Sequence, residues 1–108
     1  MTSADRKLYP DMGRRLRVLR YVFGKNGLTT SQSAFAAQLG IGPTAYNNYE
    51  QGYAIKHPVM RRMLKHLPGI DEAWLYSGSI RGLSVEMARR LADAESALEG
   101  EESSTLVG

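Results

Sequence analysis

The chain has 108 residues and no Cys; 43% of its residues are hydrophobic and 23% are charged. That is one domain's worth of ordinary globular polypeptide, which excludes large multi-domain enzymes, fibres, solenoid repeats, disulfide scaffolds and Cys-based metal centres. Residues 1–66 hold eleven Lys and Arg against three Asp and Glu, a net +8, whereas residues 67–108 hold three against eight, a net −5.

Such asymmetry points to an N-terminal part that binds a polyanion; the plainer reading is that the charges only solvate helix faces. No apolar run approaches the ~20 residues of a membrane span. Residues 1–11 hold no apolar stretch of the kind a signal peptide needs. A soluble, cytoplasmic protein without a membrane partner is expected.

Nothing alternates with period two over a useful length, so the reading is all-α. Pro10 and Asp11 open a first helix. Met12, Leu16, Leu19 and Phe23 then recur at steps of four, three and four, giving one apolar stripe before Gly24 and Gly27 end it. Ser31 is an N-cap for a short second helix whose apolar face is Phe35, Ala36 and Leu39, and Gly40 stops it. Gly42 and Pro43 fit the N-cap and first position of a third helix, which runs through Tyr46 and Tyr49 to Glu50 before Gly52. Tyr46 and Tyr49 read as core rather than base-stacking residues, and the spacing sets Tyr49 on the packed face.

A fourth helix starts near Pro58 with Met60, Met63, Leu64 and Leu67 inward. Asp71 caps a fifth carrying Trp74 and Leu75, with Gly78 after it. A last helix over 83–99 lines up Leu83, Met87, Leu91, Ala94 and Leu98. The chain thus divides into an arm (1–8), a helical domain (9–78), a C-terminal helix (79–99) and a disordered acidic tail (100–108).

Residues 32–52 read as helix, three-residue turn with Gly, helix, Gly stop. Helices joined so tightly cross steeply, which requires a small residue at Ala36 and an apolar anchor at Ile41. A short helix projected this way fits the major groove of a duplex.

Here the sequence resembles the lambda-repressor-like (Cro-type, XRE-like) helix-turn-helix family. The resemblance covers about residues 11–78. It rests on Leu16-Arg17-x-Leu19-Arg20, on Gln32, and on Phe35-Ala36-x-x-Leu39-Gly40-Ile41. It continues through Asn47-Asn48-Tyr49-Glu50-x-Gly52, Leu64-x-x-Leu67 and Trp74-Leu75-x-x-Gly78. It implies a compact five-helix DNA-binding domain, here with an additional C-terminal helix, acting on double-stranded DNA as a transcriptional regulator of the repressor kind.

Residue by residue, the resemblance puts Pro43, Thr44, Asn47 and Asn48 on the recognition helix, facing bases or phosphates. Gln32 and its neighbour Ser33 stand where helix two meets phosphate. Arg20 and Glu50 match an ion pair that orients the recognition helix. The sequence departs from the family in a longer segment before Gln32, in Gly42-Pro43 at the cap, and in having no Lys or Arg between Ile41 and Gln51. Arg readout of guanine is therefore absent from this helix, while Asn47 and Asn48 can match adenine N6 and N7 and the Thr44 methyl can meet thymine. Affinity would come from cations elsewhere: Arg14, Arg15, Lys25, Lys56, His57, Arg61 and Arg62, with Arg15 and Lys56 on phosphates. Tyr53 can reach a phosphate with its hydroxyl or act as an apolar lid, and Arg61, Arg62 and Lys65 read as a solvated face of helix four rather than as phosphate contacts.

His57 and His66 lack a catalytic or metal-ligating constellation, so no enzyme, metal, cofactor or small-molecule ligand is expected. The rival reading is a protein-interaction module of the same fold, of antitoxin or anti-repressor type. The apolar stripe of the last helix, Met87, Leu91 and Leu98 above all, suggests a homodimer.

Overall fold

Each helix starts and stops where its local chemistry allows. The computed structural model describes the backbone of residues 7–107 and the side chains of residues 7–102. Helix α1 spans Pro10–Phe23, α2 Gln32–Leu39, α3 Pro43–Glu50, α4 His57–Lys65, α5 Glu72–Ser77 and α6 Val85–Val107, with a single 3-10 turn at Gly27–Thr29. The described residues form a compact all-α fold with six α-helices and no strand. None of these helices is long and apolar enough to cross a membrane.

Ser31 caps α2 by accepting from the Ala34 amide at 3.1 Å. Gly40 ends α2 at φ +71°, and the Ile41 amide reaches back to the Ala36 carbonyl at 2.9 Å. That left-handed step, which Gly takes without Cβ strain, redirects the chain into α3 within three residues. Asp71 caps α5 through the Trp74 amide at 2.9 Å, and Gly78 ends it at φ +78°.

Helix α1 is the centre of the molecule, packing against α3, α5, α6 and the 3-10 turn. Its two faces explain why. Met12, Leu16 and Leu19 form the stripe read from the sequence, but Val18 is also fully buried and Tyr21 nearly so. Phe23 and Leu64 are only half-buried. Gly13 is buried in α1 because a Cβ there would overlap the carbonyl oxygen of Glu50 at the end of α3. The two backbones therefore approach more closely than any other residue at position 13 would permit.

The second apolar face of α1 is covered by α6. Met87, Leu91, Ala94 and Leu98 are all buried inside the protomer. Met87, Leu91 and Leu98, expected at a dimer interface, are thus spent largely on the chain's own core and leave little surface for a second copy. The helix also starts later and runs further than its composition indicates. Ser84 caps it by accepting from the Met87 amide at 3.0 Å. It then continues through residues 100–107, which the sequence alone presents as a disordered tail. Glu102 is tied to Arg14 at 2.8 Å and Glu101 to the Tyr21 hydroxyl, so acidic residues that look solvated dock on α1. The expected arm falls mostly outside the described residues. Of it, Lys7 and Leu8 are described and neither is helical.

Candidate nucleic-acid interface

The eight residues of α3 divide into an inner and an outer face. Tyr46 and Glu50, one turn apart, are buried, while Pro43, Thr44 and Asn48 are exposed and Asn47 is half-buried. Tyr46 is the core aromatic, as expected. It has no exposed surface, meets Phe35 edge-on at 5.7 Å, and donates its hydroxyl to the Leu16 carbonyl at 3.3 Å. Burial, with the Glu50 carboxylate adding to it, pushes the Tyr46 phenol well above the ordinary tyrosine range. Tyr49 is the half-buried one.

Glu50 is the anchor of the inner face. Its Oε2 accepts from Arg20 Nε at 2.9 Å, and its Oε1 accepts from Arg20 Nη2 at 3.2 Å and from Gln32 Nε2 at 3.0 Å. The Arg20 Nη1 donates to the Thr30 carbonyl at 2.7 Å. Burial alone would lower the pKa of the Arg20 guanidinium, but its hydrogen bonds and charge pairing with Glu50 leave it raised. The Glu50 carboxylate and the Arg20 guanidinium thus tie together the end of α3, the start of α2, the last turn of α1 and the segment before α2. Such a fork-on-carboxylate pair fixes angle as well as distance, so the outer face of α3 is held in one orientation.

The remaining candidates fall into two groups. Gln32 spends its amide N–H on Glu50 rather than pointing it freely outward. Ser33 beside it is exposed, its hydroxyl 3.5 Å from that of Ser31. Lys56 is the exposed residue immediately before α4. Tyr53 is half-buried in the same loop, with the Lys7 ammonium 5.9 Å over its ring. Arg15 stands apart: its guanidinium donates to the carbonyls of Leu75 at 3.0 Å and Tyr76 at 3.2 Å, at the end of α5. Two other residues of the basic half are also engaged, Arg14 with Glu102 and the His57 ring with Glu72 at 3.1 Å.

Two supporting residues escape a reading of the sequence. Thr30 is 1% exposed; besides receiving Arg20, its hydroxyl accepts from the Asn26 amide at 2.9 Å. Gln38 accepts from the Lys25 amide and donates to the Phe23 carbonyl, closing the loop after α1. Both satisfy buried or half-buried backbone groups of an irregular segment, and only a polar residue next to a turn hints at either.

Against known proteins, residues 26–75 match the family model described as Helix-turn-helix. No curated protein and no solved structure matches the chain. The matched segment runs from the 3-10 turn into α5 and includes Gln32, all of α3 and Lys56. The chain therefore contains a helix-turn-helix domain of the XRE/Cro type over residues 26–75, a domain that implies DNA binding.

Proposed function

We propose that this protein is a sequence-specific double-stranded DNA-binding transcriptional regulator that lays α3 in the major groove. The observation that carries the reading is the division of α3. Its inner face is locked by Glu50, and its outer face presents Pro43, Thr44, Asn47 and Asn48 with no other task. Thr44 and Asn48 lie one turn apart, so both face the floor of a groove entered by the helix N-terminus. Asn47 and Asn48 offer bidentate amides to adenine, and Thr44 a methyl to thymine. Ser33, Tyr53 and Lys56 are assigned to phosphates, with Gln32 as the link that holds α2 to α3. Arg15, engaged on α5, is left out of this set. Two copies would read a pseudo-palindromic operator, and their pairing surface lies outside the buried α6 stripe.

Selection of bound duplexes from a random pool tests the proposal. The expected product is a defined, A·T-leaning site whose affinity falls steeply with salt. Asn48→Ala should then relax preference at one base position, by about 1–3 kcal/mol of discrimination, while leaving the salt slope nearly unchanged. A pool that yields no enriched site, or an Asn48→Ala ranking identical to the parent's, would overturn the assignment of α3 as the reading element.

A further inference from the structure

We propose that the outer face of α4 is a second phosphate-binding surface. There Arg61, Arg62 and Lys65 hold the sugar–phosphate backbone of duplex DNA flanking the segment that α3 reads. The inference rests on the DNA-binding reading above and extends it to residues outside the helix-turn-helix pair itself.

Helix α4 is strongly two-sided. Met60 and Met63 are completely buried, whereas Pro58, Arg61, Arg62 and Lys65 are exposed and line a groove of about 300 Å³. The rise and turn of a helix bring these residues together: Arg61 and Arg62 follow Pro58 by three and four residues, and Lys65 follows them by four and three. No acidic residue occurs in His57–Lys65, and no carboxylate among the described residues lies within ion-pairing distance of the three cations.

A solvated face usually offsets like charges with acids one turn away, as α6 does by setting Glu86 near Arg89 and Arg90. On α4 the like-charge pairs Arg61–Lys65 and Arg62–Lys65 stand unrelieved, which disfavours the helix in isolation. Arg62 and Lys65 in the last turn also meet the negative end of the helix dipole. That accounts for neither Arg61 nor the groove between the side chains.

A concave surface with two planar forks and one ammonium, and no neutralising acid, suits a chain of phosphodiesters. Guanidinium forks take two phosphate oxygens at once, and the ammonium adds a point charge. The surface follows α3 in the chain by only the short loop that carries Tyr53 and Lys56. On this proposal it continues the phosphate contacts assigned to that loop. Such contacts fix register and lengthen the footprint without reading sequence.

The test compares the wild-type chain with the triple variant Arg61→Gln, Arg62→Gln, Lys65→Gln. Each is measured on a duplex cut to the selected site and on one extended by about ten base pairs on each side. The substituted residues are exposed, and a thermal melt checks that the variant keeps its fold. On the extended duplex the variant should bind about ten-fold or more weakly. Its log–log salt slope should also drop by about two to three, near 0.9 for each phosphate no longer neutralised. On the short duplex it should bind almost as the wild type does, and its ranking of site sequences should be unchanged. Equal salt slopes for the two proteins on the extended duplex would overturn the α4 inference while leaving α3 as the reading element. Failure of the wild type to bind either duplex would overturn both readings. Salt-sensitive capture of poly-glutamate by the wild type, as tight as its capture of duplex and abolished in the variant, would replace DNA by an acidic protein partner on this face.

Discussion

Glu50 holds a single carboxylate among three donors, with its side chain 2% exposed against 14% for Arg20. At that burial the two partners are not independent. Removing Glu50 alone leaves the guanidinium with the Thr30 carbonyl and the Tyr21 ring but no counter-charge, in a place largely closed to water. Glu50→Ala should therefore cost about 3 kcal/mol in urea unfolding, far more than an exposed pair would, and should loosen α3 at the same time. A loss below about 1 kcal/mol would mean that the pair is solvated. Tyr46 makes a second residue-scale prediction, with a sign set by linkage. Its pKa is raised in the fold, while the unfolded chain ionises tyrosine near pH 10. The contribution is fully present below about pH 10 and is lost as the pH climbs beyond it, because only the unfolded state releases that proton. Tyr21, raised by burial and by its hydrogen bond to Glu101, adds to the same trend. Tyr46→Phe should cost about 1 kcal/mol at pH 7, the Leu16 hydrogen bond, and should flatten the alkaline decline of the urea midpoint between pH 9 and 11. Parallel declines for the two proteins would remove Tyr46 as its source.

Among the elements, α6 separates what the sequence discloses from what it hides. The helix-turn-helix was legible because its signals are local: Ser31, Gly40, Gly42-Pro43 and Asp71 each act within one turn of themselves. The outer residues of α3 were legible for the same reason. Both tyrosines were legible as core, but which of them is the deeper was not, since that depends on where α1 and Phe35 lie. Gly13 reads as a mere weak helix former, and its reason, the Glu50 carbonyl, is remote in sequence. The stripe on α6 was visible, but periodicity shows only that an apolar face must be covered and not by what. Here it is covered by α1, so α6 belongs to the core of the DNA-binding domain although it lies beyond the matched segment. Leu98→Ala should then destabilise the whole domain by about 2–5 kcal/mol in a single cooperative transition. Glu102→Ala, which breaks a pair 33% exposed at Arg14 and 41% at Glu102, should cost less than about 1 kcal/mol. If Leu98→Ala instead changes only the association state, with the melting temperature kept, α6 is an interface after all.

For the molecule as a whole, the uneven charge of the chain becomes a polarity of its surface. The acidic residues of α6 that are exposed, Glu86, Asp93, Glu95, Glu99 and Glu101, are borne by a helix that packs on α1, while Lys56 and the α4 cations follow α3. Net charge and local charge then make different forecasts for binding a polyanion. If the net +3 governs, removing one negative charge anywhere should help about as much as removing one positive charge hurts, apart from distance. If phosphates are bound at defined points, only cations at those points release counterions. Screening strengthens the contrast, because a surface charge more than about 8 Å from the duplex is largely masked at physiological salt. Lys56→Ala should weaken binding to all duplexes alike and lower the salt slope by about one. Glu95→Gln combined with Glu99→Gln, which raises the net charge by two, should leave the slope where it was and change affinity at about 150 mM salt by less than about two-fold. The measurement is the duplex dissociation constant across a salt series for the three proteins. Slopes that shift with net charge rather than with Lys56 would refute a fixed set of phosphate contacts and leave diffuse attraction as the source of affinity.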